Sequence, residues 1–354
     1  MATRNILVFG ASYGSLLGTK LALAGHSATL VCRARTADLI NERGTTVRMP
    51  VKGREGLVAV ESKRLAGRVD ATTPDAAQPS DYDLIVLAMQ EPQYRLPGVR
   101  ELVQKAARSG VPCLSLMNMP PLPYLQRIEG VSAIDCLESY TDASVWDGFD
   151  PSLITLCSPD AQAFRPPEED GNVLQVRLPT NFKAARFAGE RHNAMLRELA
   201  DGIEAARYEV DGESIDLPVK LKVHESLFVP LAKWAMLLAG NYRCLQDGGI
   251  RSIKDAVHGD VEQARSVYEW VWELCLHLGA DPSDLVPFEK YAAAAQSLAS
   301  PSSAARALQA GAPHIERVDR LVQSIAARKG LVHPVVDETV ACVDDWLVRN
   351  RLKG

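Results

Sequence analysis

Residues 5–36 read NILVFGASYGSLLGTKLALAGHSATLVCRART, and the order of apolar and small residues in this stretch decides the fold. Asn5 to Phe9 is an apolar run of strand length. Gly10 follows it and can take the backbone angles of a sharp turn. From Gly14 onward Leu16, Leu17, Leu21 and Leu23 recur at helical spacing, and residues 28–32 form a second apolar run that ends in arginines. Strand, glycine turn, helix and strand in this order make a βαβ unit of the dinucleotide-binding kind. The unpaired amides of the first helical turn face whatever lies above the strand ends, and a pyrophosphate fits there. The glycine pattern departs from GxGxxG, because Ser12 and Ser15 stand at its second and third glycines. A shifted frame makes Gly14 the third glycine and the loop one residue shorter. Gly10, Ser12, Tyr13 and Gly14 are the candidate phosphate-binding residues. A flavodoxin-like turn holding a different ligand is the competing reading.

The end of the second strand bears on which dinucleotide. NAD enzymes usually place an acidic residue there for the ribose hydroxyls; here the chain reads Cys32-Arg33-Ala34-Arg35. Two guanidiniums can grip a 2′-phosphate through forked, charge-assisted hydrogen bonds, and no carboxylate stands there to repel it. Arg33 and Arg35 therefore point to NADP(H), against the plain alternative of solvated charges at a strand end.

A chain of 354 residues exceeds the usual single core, so two domains are expected. Hydrophobic residues at 47% and charged residues at 23% describe an ordinary globular composition. A formal net charge of −5 gives no electrostatic reason to expect nucleic acid or an anionic membrane as partner. The seven cysteines are scattered, odd in number and without CxxC pairs, which indicates neither a disulfide framework nor a metal site. The amino terminus enters a strand almost at once and no apolar stretch is long enough for a bilayer, so the expected compartment is the cytoplasm.

Further along, Ala37 to Arg43 reads as a helix stopped by Gly44. Residues 83–90 (DLIVLAMQ) and 111–118 (VPCLSLMN) are continuous apolar runs, as expected of parallel strands buried on both faces. Residues just past the carboxyl ends of such strands line a ligand crevice, which makes Gln90 and Asn118 candidates for contact with a cofactor or substrate. Gln90 reads equally well as a strand-end group bonded to a neighbouring loop. Short strand-like runs at Leu153–Leu156 and Val173–Val176 follow, then a helix over about 185–206, a strand near Tyr208–Val210 and a turn at Asp211-Gly212. Beyond Pro218 helix-period apolar residues continue with almost no strand signal. The expected organisation is α/β: residues 1–216 form an NADP-binding domain with a Rossmann-type doubly wound sheet, and residues 217–354 an all-helical domain for substrate and dimerisation.

Within the second domain, Pro230 to Asn241 places Lys233, Leu237 and Asn241 on one helical face in an otherwise apolar segment. Such a lysine either snorkels to water or is held in a cleft, where desolvation would lower its pKa toward the range useful for proton donation. Trp234, Trp270 and Trp272 sit at helical spacings in apolar surroundings and read as core.

Taken together, residues 14–36, residues 83–90, Leu116-Met-Asn118, the Lys233 helix and the stretch from Ser302 through Gly330-Leu-Val-His-Pro334 resemble the ketopantoate reductase (2-dehydropantoate 2-reductase) family. The resemblance spans nearly the whole chain and is sparse between Ser132 and Pro218. It implies that Lys233 is the general acid that protonates a carbonyl as hydride arrives from NADPH. It further implies that Asn118 positions the nicotinamide side, and that Asn241 and Ser302 bind the hydroxyl and carboxylate ends of the substrate. An ammonium in a closed, water-poor cleft stabilises the charge that grows on a carbonyl oxygen better than bulk water does.

Three positions depart from the family. Gln90 stands where its third strand ends in a lysine, and Leu237 replaces its second helix asparagine. Its carboxyl-terminal glutamate falls on His314, with Glu316 two residues on. His314 is therefore a catalytic or substrate candidate, or simply a surface or capping residue at a helix start. The changes point to a 2-oxo acid or ketone more apolar or bulkier than ketopantoate. An opine-type imine reductase and an NADP-binding regulator without turnover are the rival readings, and the apolar stripes of the second domain suit a homodimer.

Overall fold

The computed structural model describes residues 2–353. It divides into two compact units: the first holds residues up to Met89, Gln93–Tyr124 and Ser144–Glu225, the second Gln90–Pro92, Leu125–Ala143 and the chain from Ser226 onward.

The first unit carries fourteen strands: β1 (Asn5–Phe9), β2 (Ser27–Val31), β3 (Thr46–Pro50), β4 (Leu57–Glu61), β5 (Arg68–Thr72), β6 (Leu84–Leu87), β7 (Cys113–Leu116), β8 (Ile154–Ser158), β9 (Gln162–Phe164), β10 (Val173–Leu178), β11 (Phe182–Ala185), β12 (Tyr208–Val210), β13 (Glu213–Ile215) and β14 (Leu221–His224). Eight of them form one sheet in the order β14-β11-β8-β7-β6-β1-β2-β5. From β8 to β5 all neighbours are parallel; β11 then joins β8 antiparallel and β14 joins β11 parallel. β1 is flanked by β2 on one side and β6 on the other, so the winding reverses at β1, the point at whose carboxyl ends such sheets bind ligands. β6 and β7 are buried at every position, as their unbroken apolar sequences require.

A second sheet, β4-β3-β10-β9, joins chain segments far apart in sequence. β3 and β4 alternate between buried and exposed positions, with Val47, Met49, Val58 and Val60 inward, the period of a sheet covered on one face. Those side chains share a core with Ile6, Val8, Leu16 and Leu30. The helix α1 (Tyr13–Leu23) is buried along Gly14–Ala22, and α2 (Ala34–Arg43) ends at Gly44, whose φ is +79°.

Two expectations need correction. Phe182–Ala185 is a strand, and the helix expected from about 185 begins at Glu190 after Gly189; two alanines hid a strand whose Phe182 and Ala184 point into the core. The large sheet does not end near residue 216, because β14 follows it and pairs with β11 in register Phe182↔Leu221. The second unit is helical as expected, with one short antiparallel pair, β15 (Leu245–Gln246) and β16 (Gly249–Ile250).

That second unit is built from helices Ile253–His258, Val261–His277, Phe288–Ala295, Ser303–Gln309, Val318–Arg328 and Pro334–Arg351, together with the helical run from Pro230 to Cys244. Trp234 and Trp270 lie in its core. Among the described residues no helix is long and apolar enough to cross a membrane, and no His, Cys, Asp and Glu side chains are grouped to hold a metal. All seven cysteines are free thiols.

Candidate functional site

In the first unit, Gly10 has φ +98°, a left-handed value that favours glycine. A Cβ there would lie 2.7 Å from Met89 Cγ and 2.9 Å from the Ala88 carbonyl oxygen. Its N–H donates to the Val31 carbonyl at 2.9 Å, which ties the turn to the end of β2. Gly14 is the glycine of close packing, since a Cβ would sit 2.8 Å from Val8 Cγ1; the shorter of the two loop frames is the one the chain uses. Ser15 is accommodated because its hydroxyl turns back to the Ala11 carbonyl at 2.6 Å. Ser12 is the N-cap of α1, yet no side chain caps the helix. The Tyr13 hydroxyl donates to the Ala161 carbonyl at 2.9 Å. A left-handed glycine followed by an uncapped helix start is a fit for a pyrophosphate.

β2 ends without an acidic residue. Arg33 is the N-cap of α2, and both Arg33 and Arg35 are exposed. A third arginine, missed in the sequence, stands nearby: Arg165 follows β9 and its Nη2 donates to the Ala11 carbonyl at 2.7 Å. Burial lowers the pKa of the Arg165 guanidinium from its ordinary value, and the like charge of Arg33 acts in the same direction. Burial pushes the Cys32 thiol up to about 11, with Arg165 and then Arg33 opposing that rise. Asn118, two residues beyond β7, is half-buried, whereas Gln90, three residues beyond β6, is exposed and groups with the second unit.

In the second unit the Lys233 segment is not one uniform helix. A 3-10 turn at Pro230–Ala232 leads into an α turn at Lys233–Met236 and a π-helical turn at Leu237–Asn241. Tyr291 packs against this turn: its hydroxyl donates to the Met236 carbonyl at 3.1 Å and occupies the space a Cβ at Gly240 would need. In a regular α-helix residues eight apart diverge by about 80° around the axis. A π turn takes more residues per revolution, so Asn241 comes back toward the face of the half-buried Lys233.

The surroundings of Asn241 are fixed in detail. The Ser302 hydroxyl donates to the Asn241 carbonyl at 2.7 Å and accepts from the Ala305 N–H at 3.1 Å. Ser302 is therefore the N-cap of its helix and a strut behind Asn241. The Tyr242 hydroxyl donates to the Glu316 carbonyl at 2.5 Å and accepts from the Val318 N–H at 3.1 Å.

His314 lies in the loop before the helix Val318–Arg328, not at a helix start as expected. Arg317 anchors the end of that loop through Asp319 at 2.9 Å and Asp344 at 2.5 Å. Two residues from His314, the Glu316 carboxylate accepts the Glu91 N–H at 3.3 Å. Glu91, also missed in the sequence, is buried and accepts from the Thr141 N–H and hydroxyl at 3.0 and 2.9 Å. Burial raises its pKa to about 7, the Thr141 bonds oppose this, and the Glu316 charge adds to it. Chemically, the Lys233 segment of this unit offers an ammonium donor, and the Gln90–Glu91 segment offers a carboxyl group whose pKa burial raises to about 7.

No family model and no curated protein matches the chain. Solved structures do. The 2-dehydropantoate 2-reductase from Methylococcus capsulatus is 15% identical, with 98% of this chain and 97% of that chain covered at a TM-score of 0.65. A ketopantoate reductase from Staphylococcus aureus, described as dimeric, is 10% identical over 98% of this chain and 99% of that one, at 0.59. A D-mandelate dehydrogenase in ternary complex with NADH and anilino(oxo)acetate is 14% identical over 98% and 99%, at 0.63. At such identities the likeness is one of architecture, and it runs from end to end: the chain has the fold of the ketopantoate reductases.

Proposed function

We propose that the protein is an NADPH-dependent reductase acting on the carbonyl of a 2-oxo acid or related ketone. The observation that carries the reading is the π turn that brings Asn241 back toward the Lys233 face. It makes a lysine and asparagine pair in a chain whose first unit also offers a dinucleotide turn and a cationic strand end. NADPH would supply the hydride. The turn from Gly10 through Ser12 and Tyr13 to Gly14 holds the pyrophosphate, Arg33 and Arg35 hold the 2′-phosphate, and Asn118 and Gln90 serve the nicotinamide side. Lys233 holds a proton at the substrate's carbonyl oxygen and releases it as negative charge grows there. Asn241 binds the substrate's polar end, and His314 or its neighbour Glu316 completes that contact.

Leu237, between Lys233 and Asn241, is buried and apolar, which favours substrates with a larger or more apolar substituent than ketopantoate carries. The anilino(oxo)acetate held by one structural neighbour supports testing aryl-substituted 2-oxo acids. A homodimer in the cytoplasm completes the reading.

The test is NADPH consumption by purified protein with ketopantoate and a panel of alkyl and aryl 2-oxo acids, beside an NADH control and Lys233→Ala. Turnover with NADPH that falls about 10²–10⁴-fold in Lys233→Ala is expected. Turnover that requires an added amine would replace the reading with imine reduction. Tight NADPH binding without turnover across the panel would replace it with a regulatory role.

A further inference from the structure

We propose that Arg165, carried by the segment that follows β9, is a ligand of the 2′-phosphate of NADP(H), closing on it opposite Arg33. The inference rests on the cofactor reading above and concerns the first unit alone.

Three observations support it. The first is position. Arg165 lies between the glycine turn, where it bonds Ala11, and the Cys32-Arg33 end of β2, where the Arg33 charge acts on it. In a dinucleotide-binding fold those two segments flank the adenosine ribose, and the end of β2 is where the 2′ position is read.

The second is rigidity. β9 is held antiparallel to β10 in register Gln175↔Phe164 and Val176↔Ala163, and β10 runs parallel to β3. Ala161 is buried and receives the Tyr13 hydroxyl. The guanidinium is thus presented by a paired strand anchored to the turn it faces.

The third is charge. The loop after Arg165 contains Glu168, Glu169 and Asp170, but Glu169 pairs with Arg48 at 2.6 Å and Asp170 with Arg43 at 3.0 Å. Arg165 is left with a neutral carbonyl as its partner, beside a second cation and partly desolvated. A guanidinium has five N–H donors, and a partly buried cation next to another cation favours an anion bound between them. A phosphate with two negative charges meets both.

The test is binding, with no turnover required. The full-length protein is titrated with NADP⁺ and NAD⁺ by quenching of its tryptophan fluorescence, and with adenosine 2′,5′-bisphosphate against adenosine 5′-monophosphate. Arg165→Gln should weaken NADP⁺ and the bisphosphate about 10–100-fold while NAD⁺ and the monophosphate change little. Arg165→Lys, which keeps the charge and loses the fork, should fall between. Equal weakening of NADP⁺ and NAD⁺, or no change in either, would overturn the assignment. If Arg165→Gln does not fold, Arg165→Lys decides alone: an unchanged NADP⁺ over NAD⁺ preference refutes the proposal and a reduced one supports it. A wild-type protein with no preference for NADP⁺ would instead sink the cofactor reading itself.

Discussion

Gly240→Ala, Tyr291→Phe and their combination form a double-mutant cycle that tests why the Lys233 segment contains a π turn. A methyl group at position 240 would overlap the Tyr291 hydroxyl and approach Tyr291 Cζ and Val257 Cγ2 to 3.3 Å each. Overpacking of this kind costs about 1–3 kcal/mol, against a gain of about 0.5–1 kcal/mol from replacing glycine in a helix. Gly240→Ala alone should therefore lose about 1–2 kcal/mol. Tyr291→Phe removes one hydrogen bond to the Met236 carbonyl, worth about 0.5–1.5 kcal/mol, and keeps the ring stacked on Tyr268 at 5.4 Å. In the double variant the overlapping oxygen is gone and only the 3.3 Å contacts to the ring Cζ and Val257 Cγ2 remain. Its loss should match Tyr291→Phe alone, giving a coupling of about 1–2 kcal/mol in favour of the pair. Urea midpoints for the four proteins measure this. The same set assayed for NADPH turnover should show Gly240→Ala impaired beyond its stability loss, because a regular α turn carries Asn241 away from the Lys233 face. Additive stability losses, or a Gly240→Ala protein as stable as the parent, would refute the claim that Tyr291 and Gly240 together hold the turn.

Two further outcomes concern support and pH. Ser302→Ala removes a helix N-cap and the strut on Asn241, so it should cost about 1 kcal/mol in urea unfolding, raise KM several-fold and leave NADP⁺ affinity unchanged; a loss confined to kcat would contradict the supporting role. Two buried groups shift stability in opposite directions on either side of neutrality. Burial raises Glu91 from 4.5 to about 7, so its contribution is complete below pH 4.5 and is lost as pH rises through about 7. Lys20 is buried in α1 and donates to the Leu217 and Pro218 carbonyls at 3.1 and 3.0 Å. Burial, aided by Lys220, lowers it from 10.5 to about 7, so its contribution is complete above 10.5 and is lost as pH falls through about 7. Urea midpoints of Lys20→Met should rise less than those of the parent between pH 7 and 10, and those of Glu91→Gln should fall less between pH 5 and 7. Parallel pH curves for parent and variant would contradict either assignment.

What could be read from sequence was local. Leu16, Leu17 and Leu21 specify α1 by spacing alone, Gly10 announces the turn it makes, and the unbroken apolar runs of β6 and β7 are what strands covered on both faces require. The strands β3 and β4 show the period-two alternation in TVRMP and LVAVE, and that signal was available though it went unread. Other features lie beyond any local pattern. Arg165 reaches a carbonyl 154 residues away, and the π turn packs against a tyrosine 55 residues downstream of the carbonyl it bonds. The hydrogen bonds of Ser302 to Asn241 and Ala305 join residues 61 and 3 positions apart and are visible only in the fold. Gly44 stops α2 where expected, whereas Phe182–Ala185 was masked because alanine favours helices and says little about pairing with β8 and β14.

The division of the chain into units has a consequence for how the protein is made. Residues 125–143 leave the first unit and belong with the second, where Asp135 meets Arg328 at 2.5 Å and Thr141 meets Glu91, before the chain returns to supply β8, β11 and β14. On a ribosome the eight-stranded sheet cannot gain its last strand until residue 224 has emerged. The 125–143 segment, with Leu125, Ile128, Cys136 and Tyr140 buried in the finished protein, waits longer still for the chain beyond Ser226. The first unit has all its sequence once residue 225 has emerged, whereas the second gains most of its own only afterwards, so the nascent chain carries the apolar surface of the 125–143 segment until late in translation. Cutting the chain at Ser226 would leave the 125–143 segment with that surface uncovered, so neither unit is a contiguous module that can be exchanged.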